Sequence, residues 1–316
     1  MKNSIFSVFV LFLALFFTPV ANTPAAESDA AYLFTYFTGN GEDGLHLASS
    51  SDGLTWTPLN DGKSYIKSDI GRAKIMRDPS ICVAPDGTFH MVWTASWTRK
   101  EIGYANSKDL IHWSPQKAIP VMVHEPTTRN TWAPELFYDA KSEMYYIFWA
   151  STIPEKFPET KSSSEDDYNH RMYFTTTKDF ETFTPTALYF DPGHNVIDAF
   201  LAQADRKYLL FYKDETLKPE AKKNIVLATG DSPTGPFTEP QVISHENWVE
   251  GPSAVKMGNR WIVYYDCYTK GRYGAVVSTD LKTWTDITEH IQFPKDARHG
   301  TVFQVKKEIL DALQKK

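Results

Sequence analysis

Four segments of the sequence carry an acidic residue where an apolar, strand-like run begins. The acids are Asp78, Glu135, Asp198 and Glu250. A single acid beside Pro or Gly at a strand start is ordinary turn chemistry. Four carboxylates brought together are different, because crowded like charges cost free energy and raise one another's pKa values. Folding stability gives no reason for such a set, whereas catalysis or cation binding does.

An internal repeat predicts the elements that position these acids. Five segments end in one phrase, an Asp followed four positions later by an aromatic residue, with the fourth copy stretched. The repeated acids are Asp52, Asp109, Asp179, Asp231 and Asp280, at intervals of 49 to 70 residues. This is the period of a β-propeller blade, in which such turns cap a hairpin and the aromatic residue packs between sheets.

Each repeat reads as an inner strand, a turn, an aromatic second strand, a third strand and the Asp hairpin. The chain ends are incomplete in complementary ways, because residues 31–38 lack a first strand and residues 299–305 lack a second. The sequence therefore predicts an all-β, five-bladed β-propeller in which N- and C-terminal strands share one blade and leave no free edge. Residues 27–316 form a single domain, and the four acids occupy equivalent positions around the central channel.

Composition and charge narrow the class of function. The net charge of −6 provides no basic field for nucleic acid. Residues 1–26, with an apolar run over 5–17, are predicted to be a signal peptide, which implies export to the periplasm or outside the cell. After its removal we expect a monomer without a membrane partner. The motifs HExxH, CxxC and GxSxG are absent, so their chemistries have no support.

Several smaller features can also be interpreted. The two cysteines, Cys82 and Cys267, are read as buried free thiols in preference to a disulfide. Residues 154–167 and 215–223 are predicted to be solvated loops, and Lys213-Asp214-Glu215 the solvated edge of the second. Residues 306–316 are predicted to form a short helix with one apolar face.

The motifs around the acids, taken in order, resemble glycoside hydrolase family 43. They are Arg77-Asp78-Pro79-Ser80-Ile81, Trp132-Ala133-Pro134-Glu135, Ile197-Asp198-Ala199, Val249-Glu250-Gly251-Pro252 and Arg298-His299-Gly300. The resemblance covers essentially the whole chain after the signal peptide. It implies a five-bladed propeller enzyme that releases arabinofuranose, xylose or, in some branches, galactose or galactofuranose from polysaccharides.

The resemblance also implies catalytic roles. Asp78 is the general base that activates water, Glu250 the general acid that protonates the leaving oxygen, and Asp198 the carboxylate that orients this acid and raises its pKa. The implied inversion requires a gap of roughly 6.5–9.5 Å between base and acid. Physical reasoning agrees, since a proton donor needs an apolar wall and a nearby negative charge, which Trp248 and Asp198 would supply. Arg77 would help to keep Asp78 ionised.

Two further acids are weighed beside these three. Glu135 replaces an Asp that many relatives have, and it is interpreted as a residue that contacts or supports the substrate. Asp43, between Glu42 and Gly44, is a competing candidate for the base, although its glycine neighbours favour a turn.

Other substrate contacts are predicted near the channel. Trp132 is interpreted as a surface on which a sugar stacks, and Arg272 and Arg298 as hydrogen-bond donors to hydroxyls. His299 is predicted to hydrogen-bond substrate or water, with a calcium or sodium ion in the channel as the alternative. No cofactor is expected to be required.

The favoured function is an exported, inverting exo-glycosidase with α-L-arabinofuranosidase activity. β-Xylosidase and β-galactofuranosidase or galactosidase activities are alternatives within the family. A sialidase would need six blades and an Arg cluster, and the fructan-cleaving propellers retain configuration. From a different class, a carbohydrate-binding propeller without catalysis remains, although the presence of all three catalytic acids argues against it.

Overall fold

The computed structural model describes residues 30–163, 167–238 and 240–316. The predicted signal peptide, residues 1–26, lies outside the described residues. Within them, no helix has the length and apolar character needed to cross a membrane.

The described chain is almost entirely β-structure. Its strands are β1 (Ala30–Tyr36), β2 (His46–Ser50), β3 (Thr57–Pro58), β4 (Arg77–Val83), β5 (Phe89–Thr94), β6 (Ile102–Ser107), β7 (Lys117–Ile119), β8 (Trp132–Asp139), β9 (Met144–Ser151), β10 (Arg171–Thr177), β11 (Ala187–Phe190), β12 (Val196–Ala204), β13 (Lys207–Asp214), β14 (Asn224–Gly230), β15 (Gln241–Val242), β16 (Glu250–Met257), β17 (Arg260–Cys267), β18 (Arg272–Ser278), β19 (Thr285–Asp286) and β20 (Val302–Lys306). Short 3₁₀ helices span Asn60–Gly62, Pro158–Ser163 and Thr288–His290, and α1 spans Lys307–Gln314.

These strands form five antiparallel sheets of four, which are the five blades of a β-propeller. The orders are β4-β5-β6-β7, β8-β9-β10-β11, β12-β13-β14-β15, β16-β17-β18-β19 and β20-β1-β2-β3. Sheet topology therefore confirms the all-β fold, the number of blades and the order of strands within each repeat.

The Asp turns owe their regularity to local hydrogen bonds. In the second copy, Asp109 Oδ1 accepts the backbone N–H groups of Ile111 at 2.9 Å and His112 at 2.7 Å. Ser107 Oγ accepts the N–H of Leu110 at 2.8 Å. The same pattern recurs around Asp52, Asp179 and Asp280. A short polar side chain thus replaces the missing ladder partner at the end of four of the five third strands.

The closing blade joins the two ends of the described chain. β1 pairs with β20, with Leu33 opposite Phe303. Beyond this ladder, Thr35 N–H donates to Thr301 O at 3.0 Å, and Thr301 N–H donates to Thr35 Oγ1 at 2.8 Å. The predicted closure is confirmed. The predicted terminal helix is also confirmed as α1, and its Leu313 is buried in an apolar cluster that includes Leu33 and Phe303.

Apolar clusters between neighbouring blades hold the ring together. Phe34 of the closing blade meets Tyr273 of the preceding blade edge-on at 5.4 Å, and Trp56 meets Tyr264 at 5.6 Å. Such aromatic pairs contribute roughly 0.5–1.5 kcal/mol each beyond the area they bury. Cys82 and Cys267 are both free thiols, as the sequence favoured.

Candidate active site

A backbone irregularity at the start of the inner strands places the candidate side chains. Pairing skips two residues in each case, between Arg77/Ser80, Trp132/Glu135, Ile197/Phe200 and Glu250/Ser253. The second residue of each set has positive φ, namely 52° at Asp78, 48° at Ala133, 56° at Asp198 and 59° at Gly251. Such a conformation costs non-glycine residues roughly 1–3 kcal/mol, and it often marks a functional site.

This register corrects the prediction that the four acids are equivalent. Asp78 and Asp198 share the bulged position, whereas Glu250 stands one residue before it. In β8 the bulged residue is Ala133, and Glu135 lies two residues after it. Simple strand alternation does not foresee this shift, because a bulge re-aims side chains within a strand.

Gly251 is required where the inner strands meet. A Cβ atom there would lie 2.4 Å from Cγ of the His299 ring, which is too close for any side chain. Its N–H donates to Asp198 Oδ2 at 3.0 Å. The glycine therefore ties the strand of Glu250 to Asp198 and leaves room for His299.

A pocket of about 420 Å³ opens where all five inner strands begin. Side chains that line it are Asp78, Trp132, Asp198, Glu250, Arg298 and His299. The structure thus brings the three predicted catalytic acids and three predicted substrate contacts into one pocket. A volume of this order is typical of sites that bind a small molecule.

The first group of pocket residues, the base cluster, consists of Asp78, Thr94 and His299. Thr94 Oγ1 donates to Asp78 Oδ2 at 2.7 Å, and His299 Nδ1 lies 3.4 Å from Asp78 Oδ1. Burial would raise the pKa of Asp78, but the hydrogen bond and charge of His299, with Arg77 and Thr94, lower it to about 2. Burial alone would lower the pKa of His299, yet Asp198, Asp78 and Glu250 raise it to about 9. Asp78 is an ionised carboxylate beside a protonated imidazole at neutral pH.

The second group, the acid cluster, consists of the pocket residues Glu250, Arg298 and Lys213 together with Asp266, which is buried outside the pocket lining. Arg298 Nη2 donates to Glu250 Oε1 at 3.0 Å, and Lys213 Nζ donates to Glu250 Oε2 at 3.3 Å. Arg298 Nε also donates to Asp266 Oδ2 at 2.7 Å. Each oxygen of Glu250 therefore faces its own cation.

The electrostatics of Glu250 reverse the sequence-based expectation. Burial would raise its pKa, but Lys213, Arg298 and His299 outweigh burial and lower it. The predicted apolar wall does not set the pKa of Glu250. Trp248 is 38% exposed, and its ring lies 5.7 Å from the Lys223 ammonium. The carboxyl is thus an ion in the free structure, and a proton donor at this position must first take up a proton.

Asp198 lies between the two clusters and is buried. Burial raises its pKa to about 6; the charges of Glu250 and Asp78 act in the same direction, whereas His299 and Lys213 oppose the shift. Its bond from the Gly251 N–H holds it against the strand of Glu250. The geometry suits a carboxylate that orients the neighbouring Glu.

Three other candidates lie outside the pocket lining. Glu135 is buried with only 5% exposed, accepts from Thr301 Oγ1 at 3.2 Å, and has a pKa raised by burial to about 8. Arg272 pairs with Glu246 at 3.1 Å and lines a separate surface depression. The structure therefore places neither where the sequence predicted a substrate contact. Asp43 pairs with His46 at 2.7 Å, also outside this pocket's lining.

A calcium or sodium ion beside His299 stays a prediction, as the alternative to hydrogen bonding with substrate or water. Among the residues that the structure describes, no group of three or more His, Cys, Asp or Glu side chains is arranged to hold a metal.

Sequence reasoning missed several pocket residues because it assigned Lys213 and Glu215 to a solvated loop edge. Lys213 is in fact buried, and both residues line the pocket. The signal lies in the second strands, where one residue pairs with the inner-strand residue just before the bulge. Thr94, Lys213 and Asp266 are the partners of Arg77, Ile197 and Glu250. Each follows an aromatic residue, in Trp93-Thr94, Tyr212-Lys213 and Tyr265-Asp266.

With this geometry in place, comparison with known proteins is informative. Residues 27–311 match the model of the family 43-related glycosyl hydrolases, described as "Probable glycosyl hydrolase domain". The chain belongs to this family. The predicted resemblance and the glycoside hydrolase class are thereby confirmed.

Individual relatives of this family 43-related domain are distant. An α-L-arabinofuranosidase of Bifidobacterium longum subsp. longum is 22% identical over an alignment of 256 residues, and the match covers 69% of this chain and 24% of the relative. The chain thus spans about a quarter of the length of that curated relative.

Solved structures support the fold. The α-L-arabinofuranosidase from Lactobacillus brevis superposes with a TM-score of 0.55 at 17% identity, over 72% of this chain and 74% of that one. An exo-β-1,3-galactanase from Phanerochaete chrysosporium has a TM-score of 0.51 at 16% identity, over 70% of this chain and 52% of that one. At these identities the likeness concerns the propeller alone.

Proposed function

We propose that the protein hydrolyses glycosidic bonds with inversion of configuration, with Asp78 as general base and Glu250 as general acid. The observation that carries this proposal is that two different blades place a carboxylate in one pocket. Asp78 accepts a hydrogen bond from neutral Thr94, whereas Glu250 accepts from cationic Arg298. Asp198 supports Glu250 through the Gly251 N–H.

The residues divide the reaction as follows. Asp78, ionised beside His299, accepts a proton from water as the water oxygen bonds to the anomeric carbon. Glu250, once protonated, gives its proton to the leaving oxygen as the old glycosidic bond breaks. Both carboxyls exchange a proton with solvent before the next turnover.

We propose an exo-acting α-L-arabinofuranosidase as the favoured activity. The curated relative and the Lactobacillus brevis structure carry that name, and the small pocket suits a terminal sugar. β-Xylosidase and β-galactofuranosidase or galactosidase are the alternatives, and the galactanase shows that a galactan-acting enzyme shares the fold. Trp132 and its neighbour Trp97, in edge contact at 5.5 Å, provide an aromatic wall for the sugar or its leaving group.

The cellular setting is also proposed. Residues 1–26 act as a signal peptide, and the enzyme works as a monomer in the periplasm or outside the cell. It needs no cofactor, so dialysis against EDTA leaves its rate unchanged.

Leaving-group dependence tests the two roles. We compare wild type, Asp78→Asn and Glu250→Gln on phenyl and 2,4-dinitrophenyl α-L-arabinofuranosides. Glu250→Gln loses about 100-fold or more on the phenyl glycoside but less than about tenfold on the dinitrophenyl one, because an activated leaving group needs no proton. Asp78→Asn loses about 1,000-fold on both, because water still needs its base.

Matched substrates and a control complete the test. β-Xylosides, β-galactosides and β-galactofuranosides identify the sugar, and NMR of the first-formed anomer reports inversion. Arg272→Met, outside the pocket, controls for removal of a charge near the channel. Equal losses of Glu250→Gln on both leaving groups would refute its role as the acid. Sugar binding without turnover of any glycoside would identify a carbohydrate-binding propeller instead.

A further inference from the structure

Lys213 is a buried cation that contacts two carboxylates, those of Glu215 and Glu250. Its side chain is 4% exposed, and its Nζ lies 2.7 Å from Glu215 Oε2 and 3.3 Å from Glu250 Oε2. The ring of Tyr268 lies 4.8 Å from the same ammonium. Burial would lower the pKa of Lys213, but Glu215 and Glu250 outweigh it and raise the pKa, so the residue stays charged.

Lys213 Nζ lies closer to Glu215, with which it forms an ion pair, while its hydrogen bond goes to Glu250 Oε2. Glu215 also pairs with Lys223, which follows it in the loop before β14. Lys213 therefore keeps a partner if Glu250 is released. Arg298 has the same property, because Nε stays on Asp266 when Nη2 leaves Glu250.

Protonation of Glu250 removes the negative charge that both cations face and therefore weakens both contacts. Both of its oxygens accept from cationic donors, so a proton on either oxygen would face a positively charged group. The strength with which each cation is held elsewhere therefore controls how easily Glu250 becomes an acid.

We propose that Lys213 is a positioning residue for Glu250, and that Glu215, by competing for the same ammonium, sets how firmly Glu250 is held as a carboxylate. This inference rests on the proposed role of Glu250. The other charged groups around Glu250 come from several elements: Asp78 of β4, Asp198 of β12, Asp266 of β17, and Arg298 and His299 before β20.

The pH profile of kcat/KM on the phenyl glycoside tests the proposal, because its alkaline limb reports the free enzyme's essential acid. Lys213→Met removes a cation from Glu250, so the carboxyl keeps its proton longer and the limb moves to higher pH by about one unit. Glu215→Gln removes a negative charge and leaves Lys213 to Glu250, so the limb moves to lower pH. Opposite shifts are not the result of a merely structural defect, which lowers the rate without moving the limb in two directions.

Two control variants separate the effect of the Lys213 charge on Glu250 from other effects of substitution. Lys213→Arg keeps the charge and should leave the limb close to wild type, and Lys222→Met removes an exposed cation that pairs with Glu220. If Lys213→Met does not fold, the downward shift in Glu215→Gln decides alone. Limbs that stay in place, or move in the same direction, overturn the proposal even when the leaving-group pattern of Glu250→Gln supports its role as the acid. If that pattern fails, the function itself falls.

Discussion

The base cluster and the acid cluster occupy neighbouring positions in one pocket but differ in how their carboxylates are balanced. Asp78 has one cationic partner, His299, and one neutral donor, Thr94. Glu250 has two cations, and each of these is shared with a further acid. Asp78, the proposed base, is therefore ionised in the free protein, whereas Glu250, the proposed acid, must take up a proton before it can act.

The largest effect expected in this comparison comes from Asp198, which accepts a hydrogen bond from the strand of Glu250. Asp198→Asn preserves an acceptor for the Gly251 N–H but removes a negative charge near Glu250. The pKa of Glu250 then falls further, and we expect kcat on phenyl glycosides to drop about 100-fold. The alkaline limb of the pH profile should move to lower pH. A uniform loss on phenyl and dinitrophenyl substrates would show that Asp198 serves the base cluster as well.

A smaller effect is expected when the base cluster loses its cation. His299→Gln removes the positive charge beside Asp78, so the pKa of Asp78 rises from about 2. A base must be ionised, and the variant should therefore lose activity below about pH 5, where wild type is still active. Thr94→Val, which removes a neutral donor, is the matched control with a weaker shift. An acidic limb that does not move would separate His299 from the base.

The smallest effect concerns Glu135, which lies outside both clusters. Its folded pKa of about 8 exceeds the ordinary value of 4.5, so its protonated form stabilises the fold below about pH 4.5. That contribution is lost as pH rises through about 8. Glu135→Gln imitates the neutral acid, and the melting temperature should decline less between pH 5 and 8 than in wild type. An unchanged slope would show that the carboxyl titrates near its ordinary pKa.

The propeller was predictable because its repeating information is local. Four of the five Asp turns are completed by groups within three residues, so the same phrase recurs where those third strands end. The incomplete repeats at the two chain ends likewise predicted that these ends pair, and β1 does pair with β20. Sequence periodicity needs no long-range information for either step.

The site was predictable only in part. Periodicity located Asp78, Asp198 and Glu250, yet Glu250 stands one residue before the bulge position that the other two occupy. Glu135 stands two residues after that position and does not line the pocket. The charge on Glu250 was missed because it depends on Lys213 and Arg298, which are 37 and 48 residues away in sequence. Contacts across blades carry no local signature.

The position of Arg298 and His299, just before the closing strand β20, has a consequence for synthesis of the enzyme. A ribosome delivers the acid and the base long before it delivers the residues that hold them. Nascent chains that end before Arg298 contain Asp78, Glu250 and Lys213 but lack Arg298, His299 and the strand that closes the ring. Hydrolytic competence should therefore arise in one late step, when the last blade is completed, rather than grow with chain length.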